Sequence, residues 1–212
     1  METKRSGPVG RPRGFDPDEA LERAMLVFWK HGYEGASLAG LTDAMGISTT
    51  SMYAAFGNKE ELFRKALRRY SEGPSAYLPR ALEEPTALGV ATAILNGVIR
   101  ATTRPAAPQG CLGVQSALVT GDAGRGVRDL LAAWRNDGCA RVQERFQQAV
   151  DDGDLPPETD PGLLARYVTT LVFGIAVQAA SGVGRDELQA MADAALRTWP
   201  PLSTPPAGST AC

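Results

Sequence analysis

The chain has 212 residues, 43% of them hydrophobic and 22% charged. That composition excludes an extended disordered chain or a cysteine-stapled miniprotein and leaves room for one large or two small globular domains. A formal net charge of −2 excludes a uniformly basic nucleic-acid binder, but the charge is unevenly spread: residues 1–70 carry 11 Lys and Arg against 9 Asp and Glu, a net of +2, and residues 71–212 carry 11 against 15, a net of −4.

Residues 1–14 are rich in Gly, Pro and basic side chains and read as a flexible basic arm. Met1–Gly14 has no apolar core segment of the kind a secretory leader needs. Asp16 can cap a first helix with Pro17 at its first position and Glu19 at its third. Leu21, Ala24, Met25 and Phe28 recur at helical spacing, and Gly32 supplies the stop. Ser37 caps a second, short helix with Leu38, Leu41 and Met45 inward, closed by Gly46. Ser48 caps a third, with Ile47 before the cap and Met52 inside it spaced as a hydrophobic staple. Gly57 ends that helix, and Asn58 with Glu61 forms a capping box for a fourth.

Beyond Gly73-Pro74 the pattern becomes more apolar. A helix is expected over 86–103, a loop from Pro105 to Gly110, and a short apolar helix from Cys111 to Thr120. Val127, Leu131, Trp134, Val142 and Phe146 mark a long helix with a bend near Gly138. Asp151, Asp152 and Asp154 read as a solvated turn. Asp160-Pro161 opens a strongly apolar helix to Ala180, and Leu188, Met191, Ala192 and Trp199 mark the last one. The longest uncharged run, between Arg166 and Arg185, contains Gln178 and Ser181 and reads as a bundle helix rather than a membrane span. No strand pattern emerges, so the fold class is all-α: a helix-turn-helix DNA-binding domain over residues 15–58, a connecting helix over 59–79, a helical ligand-binding and dimerisation domain over 80–200, and a flexible tail over 201–212.

Two short helices joined through Gly46-Ile47-Ser48 have the layout that presents a helix to the DNA major groove. Ser48, Thr49, Thr50 and Tyr53 lie on the exposed side of the second of these. Short hydroxyl side chains at a helix N-terminus suit phosphates and base edges, and the helix dipole favours phosphate. Ser37 and Lys59 flank the unit. Arg11 and Arg13 on the arm have the character of minor-groove residues. The opposing reading is a plain three-helix packing unit with a solvated tail. The combination Gly32-Tyr33, Ser37, Leu41, Gly46-Ile47-Ser48, Met52-Tyr53, Phe56 and Asn58-Lys59-Glu60-Glu61-Leu62 resembles the N-terminal signature of TetR/AcrR-type transcriptional regulators. The resemblance implies a homodimeric, all-helical repressor that double-stranded operator DNA holds and a small-molecule effector releases; three cysteines without metal-like spacing fit a cytoplasmic protein with free thiols. The resemblance also implies that Thr49, Thr50, Tyr53 and Lys59 lie at the DNA. Thr50 stands where glycine is frequent and Ala54-Ala55 replaces a bulkier pair, so base preference does not transfer.

The helices over 160–180 and 186–199 are apolar on more than one face, which suits a homodimer interface through residues 160–199. Trp134, Tyr167, Phe173 and Gln178 are candidate ligand-pocket residues. Gln109-Gly110-Cys111-Leu112-Gly113 is similar to a glycine-cysteine motif in a TetR subgroup that includes regulators responding to electrophiles. A thiol beside a helix N-terminus can have a lowered pKa, so Cys111 is either an electrophile or redox sensor or a small apolar core residue. The odd cysteine count (Cys111, Cys139, Cys212) and the single His31 offer no metal-ligand spacing, and no cofactor is expected. No nucleophile elbow or phosphate loop suggests an enzyme. A helical adaptor that does not bind DNA is the competing non-enzyme reading; it leaves the basic arm unexplained.

Overall fold

The computed structural model describes residues 14–116 and 124–200. Ten helices and no strand occur among the described residues: α1 (Pro17–Gly35), α2 (Leu38–Met45), α3 (Thr49–Phe56), α4 (Lys59–Glu72), α5 (Tyr77–Ala81), α6 (Ala87–Thr102), α7 (Leu112–Gln115), α8 (Arg125–Asp151), α9 (Pro161–Ala180) and α10 (Arg185–Leu196). Arg11, Arg13, the tail and the far part of the expected 111–120 helix lie outside the described residues.

Local signals set the head. Asp16 accepts from the N–H groups of Asp18 and Glu19, Ser37 from Gly40, and Ser48 from Ser51. Asn58 and Glu61 complete the reciprocal capping box at α4. Gly46 ends α2 in the left-handed region, at φ 68°. Gly32 also has φ 68°, but it kinks α1 rather than ending it, and helical geometry resumes to Gly35. The backbone of Gln115 passes 3.5 Å from where a Cβ on Gly32 would stand, so this kink seats α7 against α1.

One apolar cluster joins α1–α4 through Met25, Phe28, Trp29, Leu41, Met52 and Phe63, and continues into the body through Cys111, Leu112, Val127, Leu131 and Ala176. A second cluster packs α6, α8 and α9 around Val90, Ile94, Phe146, Leu164 and Val168. A third closes α6, α9 and α10 around Ile99, Ile175 and Leu188.

Three expectations for the body change. The connecting helix expected over 59–79 ends at Glu72, and a separate short helix, α5, follows it. Helix α8 is continuous through Gly138. Asp154 does not simply face water: its Oδ2 accepts the N–H of Ala87 at 2.5 Å, so the turn after α8 satisfies an orphan donor at the start of α6.

Gly97 on α6 is where packing overrules helix propensity. A Cβ there would stand 2.4 Å from Cδ2 and 2.9 Å from Cβ of Tyr77. Gly→Ala inside a helix ordinarily stabilises by about 0.5–1 kcal/mol, whereas overpacking a core costs about 1–3 kcal/mol. The Gly97→Ala protein is therefore expected to unfold at lower denaturant than wild type, by about 1–2 kcal/mol; an unchanged or higher midpoint in urea would show that the ring moves aside freely.

Candidate DNA-binding surface and effector cavity

Helix α3 carries the proposed reading face. Ser48, Thr49 and Thr50 are exposed and Tyr53 is 46% exposed, while Met52 and Phe56 on the opposite side are buried. Ser48 also makes a side-chain bond to Ser51 Oγ at 2.9 Å. Its hydroxyl is thus committed to the cap, leaving Thr49 and Thr50 as the freer hydroxyls. Ser37 likewise spends its side chain on capping α2. Ile47 and Met52 join the same core cluster, which ties α3 to α2.

Lys59, the first residue of α4, holds its Nζ 4.5 Å from the centre of the Tyr33 ring. Burial lowers the Lys59 pKa, against which the nearby Glu34 carboxylate acts. Burial, then Glu60 and Glu34, pushes the Tyr33 phenol up. Tyr33 is in turn edge-on to Phe63, with ring centres 5.3 Å apart. The sequence marks Tyr33 solely as part of a motif; here it is the ring that supports the lysine. Lys65 is a residue the sequence does not single out. Its Nζ donates to Phe56 O at 3.0 Å, satisfying a carbonyl at the C-terminus of α3.

A mostly apolar cavity of about 120 Å³ lies between the upper end of α4 and helices α5, α6, α8 and α9. Trp134, Phe173, Ile94, Val172, Tyr77 and Cys139 contribute to its wall. Trp134 and Phe173 are where the sequence places pocket residues. Tyr167 and Gln178 are not: Tyr167 packs against the second cluster and Gln178 is exposed on α9. The period of α9 turns both away from the cavity. Trp134 Nε1 donates to Ser71 Oγ at 2.9 Å, a direct link from the cavity wall to α4.

Cys111 is not in that wall. It is 8% exposed and sits in the cluster shared by head and body. Burial raises its pKa; the Tyr70 hydroxyl, the backbone N–H groups of Val114 and Gly113, and the charge of Arg135 act the other way. The lowered pKa expected from a helix N-terminus does not arise, because burial outweighs the N–H groups at the start of α7.

The comparisons with known proteins agree with this geometry. Residues 20–66 match the family model for bacterial regulatory proteins of the tetR family, and residues 87–195 match the tetracyclin repressor-like C-terminal domain. The chain belongs to the TetR family. It is 31% identical to the HTH-type transcriptional repressor ComR of Escherichia coli over 195 residues, 91% of this chain and 93% of ComR. A cysteine mutant of the TetR regulator CifR, solved with a 26-base-pair double-stranded operator DNA, is 44% identical with a TM-score of 0.86, covering 90% of this chain and all of that one. A TetR regulator from Rhodococcus sp. RHA1 is 43% identical with a TM-score of 0.60, over 87% of this chain. The TetR-family protein is thus a DNA-binding transcriptional regulator and not an enzyme, and the adaptor reading falls away.

Because only the thiolate attacks alkylating agents, Cys111 should react with iodoacetamide at neutral pH far more slowly in the folded protein than in urea, by about tenfold or more. Its rate should still be rising through pH 9.0, the ordinary thiol value. Peptide mass spectrometry after timed quenching measures both; equal rates folded and unfolded would show that the thiol is open.

Proposed function

We propose that the protein is a homodimeric, cytoplasmic repressor that binds operator DNA through α3 and leaves it when a small, largely apolar molecule fills the cavity beside Trp134. In this reading residues 15–58 read DNA, 59–79 connect, and 80–200 sense and dimerise. The observation that carries it is the continuity from cavity to reading head: Trp134 lines the cavity and bonds Ser71 on α4, and α4 begins at Lys59 beside α3. CifR was solved on operator DNA, which supports the same use of this surface.

The cavity size favours a compact effector. A void of about 150 Å³ lined by apolar side chains accommodates benzene, so about 120 Å³ suits a molecule of roughly that bulk. Dimerisation is supported by the open face of α9 and α10. Leu163 and Val177 are 52% and 51% exposed, and Met191 is 37% exposed. A Cβ on Gly174 would meet nothing within 4 Å, leaving room for close helix approach. Helix α9 is long and apolar enough to cross a membrane by length and composition, but two of its sides pack on α6 and α8, and a second copy accounts for the third. Two reading heads must then meet major grooves about 34–36 Å apart, and displacing α4 changes that spacing.

A second reading rests on Cys111 and Tyr70 of α4 sharing one buried cluster, where each acts on the other's titration. A carbon electrophile that alkylated the thiol, with the thiol proton leaving to solvent, would add atoms at a buried site beside Tyr70 and displace its ring, so covalent modification of Cys111 would act on the same helix.

Lys59→Ala is expected to weaken binding to operator and random duplex alike and to lower the salt slope by about one. Thr49 or Thr50 substitutions should shift base preference instead, measured by selection from random DNA. An unchanged salt slope would remove Lys59 from the phosphate contacts.

Val172→Phe fills the cavity and should abolish effector release while operator affinity stays within about twofold. A screen of small aromatics, read as loss of operator binding, tests it: normal release by the filled variant would refute the cavity as the effector site. Persistent release of Cys111→Ser by an electrophile would refute the covalent reading.

A further inference from the structure

Four arginines from distant parts of the sequence converge on one groove of the body. Arg80 comes from α5, Arg100 from the last turn of α6, Arg104 from the loop after it, and Arg185 from the first position of α10. The groove encloses about 540 Å³, and Glu72 is the one acidic residue among its described lining. All four arginines are exposed. None takes part in an ion pair among the described residues. Asp186 and Glu187 follow Arg185 on α10 but do not line the groove.

The groove is partly preorganised. Arg185 Nε donates to Thr103 Oγ1 at 2.9 Å and Arg185 Nη2 to Thr103 O at 3.2 Å. Thr103 Oγ1 donates onward to Ile99 O at 2.7 Å. A guanidinium held in this way loses less freedom on meeting an anion. Gly184 caps α10 without a side-chain bond, so the positive end of that helix adds to the field. Gathering four like charges with one opposing carboxylate costs free energy in the empty protein, and an anion in the groove offsets it. Planar guanidiniums match phosphate oxygens in pairs.

We infer that this groove is a binding site for a small molecule bearing two or more clustered phosphate groups. Its volume falls within the range of small-molecule clefts, about 300–1,000 Å³. Its position argues against the DNA backbone as occupant. Helix α4 runs 14 residues from Lys59 to Glu72, which at about 1.5 Å per residue separates the groove from the reading face by roughly 20 Å. Tyr77 lines both this groove and the apolar cavity, so a phosphate-bearing ligand shares a wall with the proposed effector site. The inference itself stands independently of the operator-release reading, since it concerns binding alone.

Isothermal titration of the full-length protein with inorganic tripolyphosphate, at an ionic strength of about 0.15 M, tests it. One site per chain is expected, with orthophosphate weaker by about tenfold or more. The Arg100→Gln/Arg104→Gln double variant should lose about tenfold or more in tripolyphosphate affinity, and Arg80→Gln a lesser amount. Both variants alter exposed side chains, and circular dichroism checks that they remain folded. Arg68→Gln, an exposed arginine outside the groove and outside the DNA-binding face, should leave the affinity unchanged. Absence of binding to wild type, or equal affinity in the arginine variants, would overturn the site. A fall in operator affinity and salt slope in the double variant would assign the groove to the DNA backbone and overturn it as well.

Discussion

Everything in this molecule depends on a core that does not stop at the end of its DNA-reading head. Trp29 of α1 donates its indole N–H to Gly110 O at 3.1 Å, and its ring stands edge-on to Tyr70 of α4 with centres 4.9 Å apart. Tyr70 lies 6.5 Å from Trp134 of α8, and Trp134 is bonded to Ser71. Leu112, Val127 and Leu131 of the body are fully buried in the same cluster as Phe28 and Leu41 of the head. Interiors packed to this density transmit displacement and resist continuous deformation. A shift of α7 or α8 must therefore be taken up by α1 and α4.

This arrangement gives a physical route from sensing to DNA. The reading helix has eight residues, too few to be stable alone, so its direction is inherited from caps and from packing on α2 and α4. A ligand acts through unequal affinity for two arrangements of the body, and a coupling of about 1–3 kcal/mol changes DNA affinity roughly 5–150-fold. The energy needed is comparable to a single buried hydrogen bond or one well-packed aromatic contact. The bonds at Trp29 and Ser71 are of that size and sit where the two halves meet. The cavity and the arginine groove both border α4 near Ser71 and Glu72, so a ligand in either would touch one connecting helix.

The head was legible from sequence because its signals are local. Ser37, Ser48 and the Asn58–Glu61 pair each act within three residues, and Gly46 and Gly57 mark their own helix ends by positive φ. Family membership also rests on this short-range pattern. The body was harder because its determinants act across long separations. The Asp154 to Ala87 bond spans 67 positions, and no motif announces it. Gln178 has the chemistry of a pocket anchor, but the rotation of α9, fixed by Ile175 and Ala179 in the core, carries it outward. Cys111 stands at a helix N-terminus, yet burial decides its pKa. The arginine groove is assembled from four segments and is invisible to any reading along the chain.

The shared core is tested most directly by hydrogen exchange in the Leu131→Ala protein. Leu131 lies on α8 and is fully buried in the cluster that also holds the head; truncation there costs about 2–5 kcal/mol. If one core serves both halves, amides of α1 and α4 will exchange faster by factors comparable to those in α8. Faster exchange confined to α8, with α1 and α4 protected as in wild type, would show that the head folds and moves independently of the body.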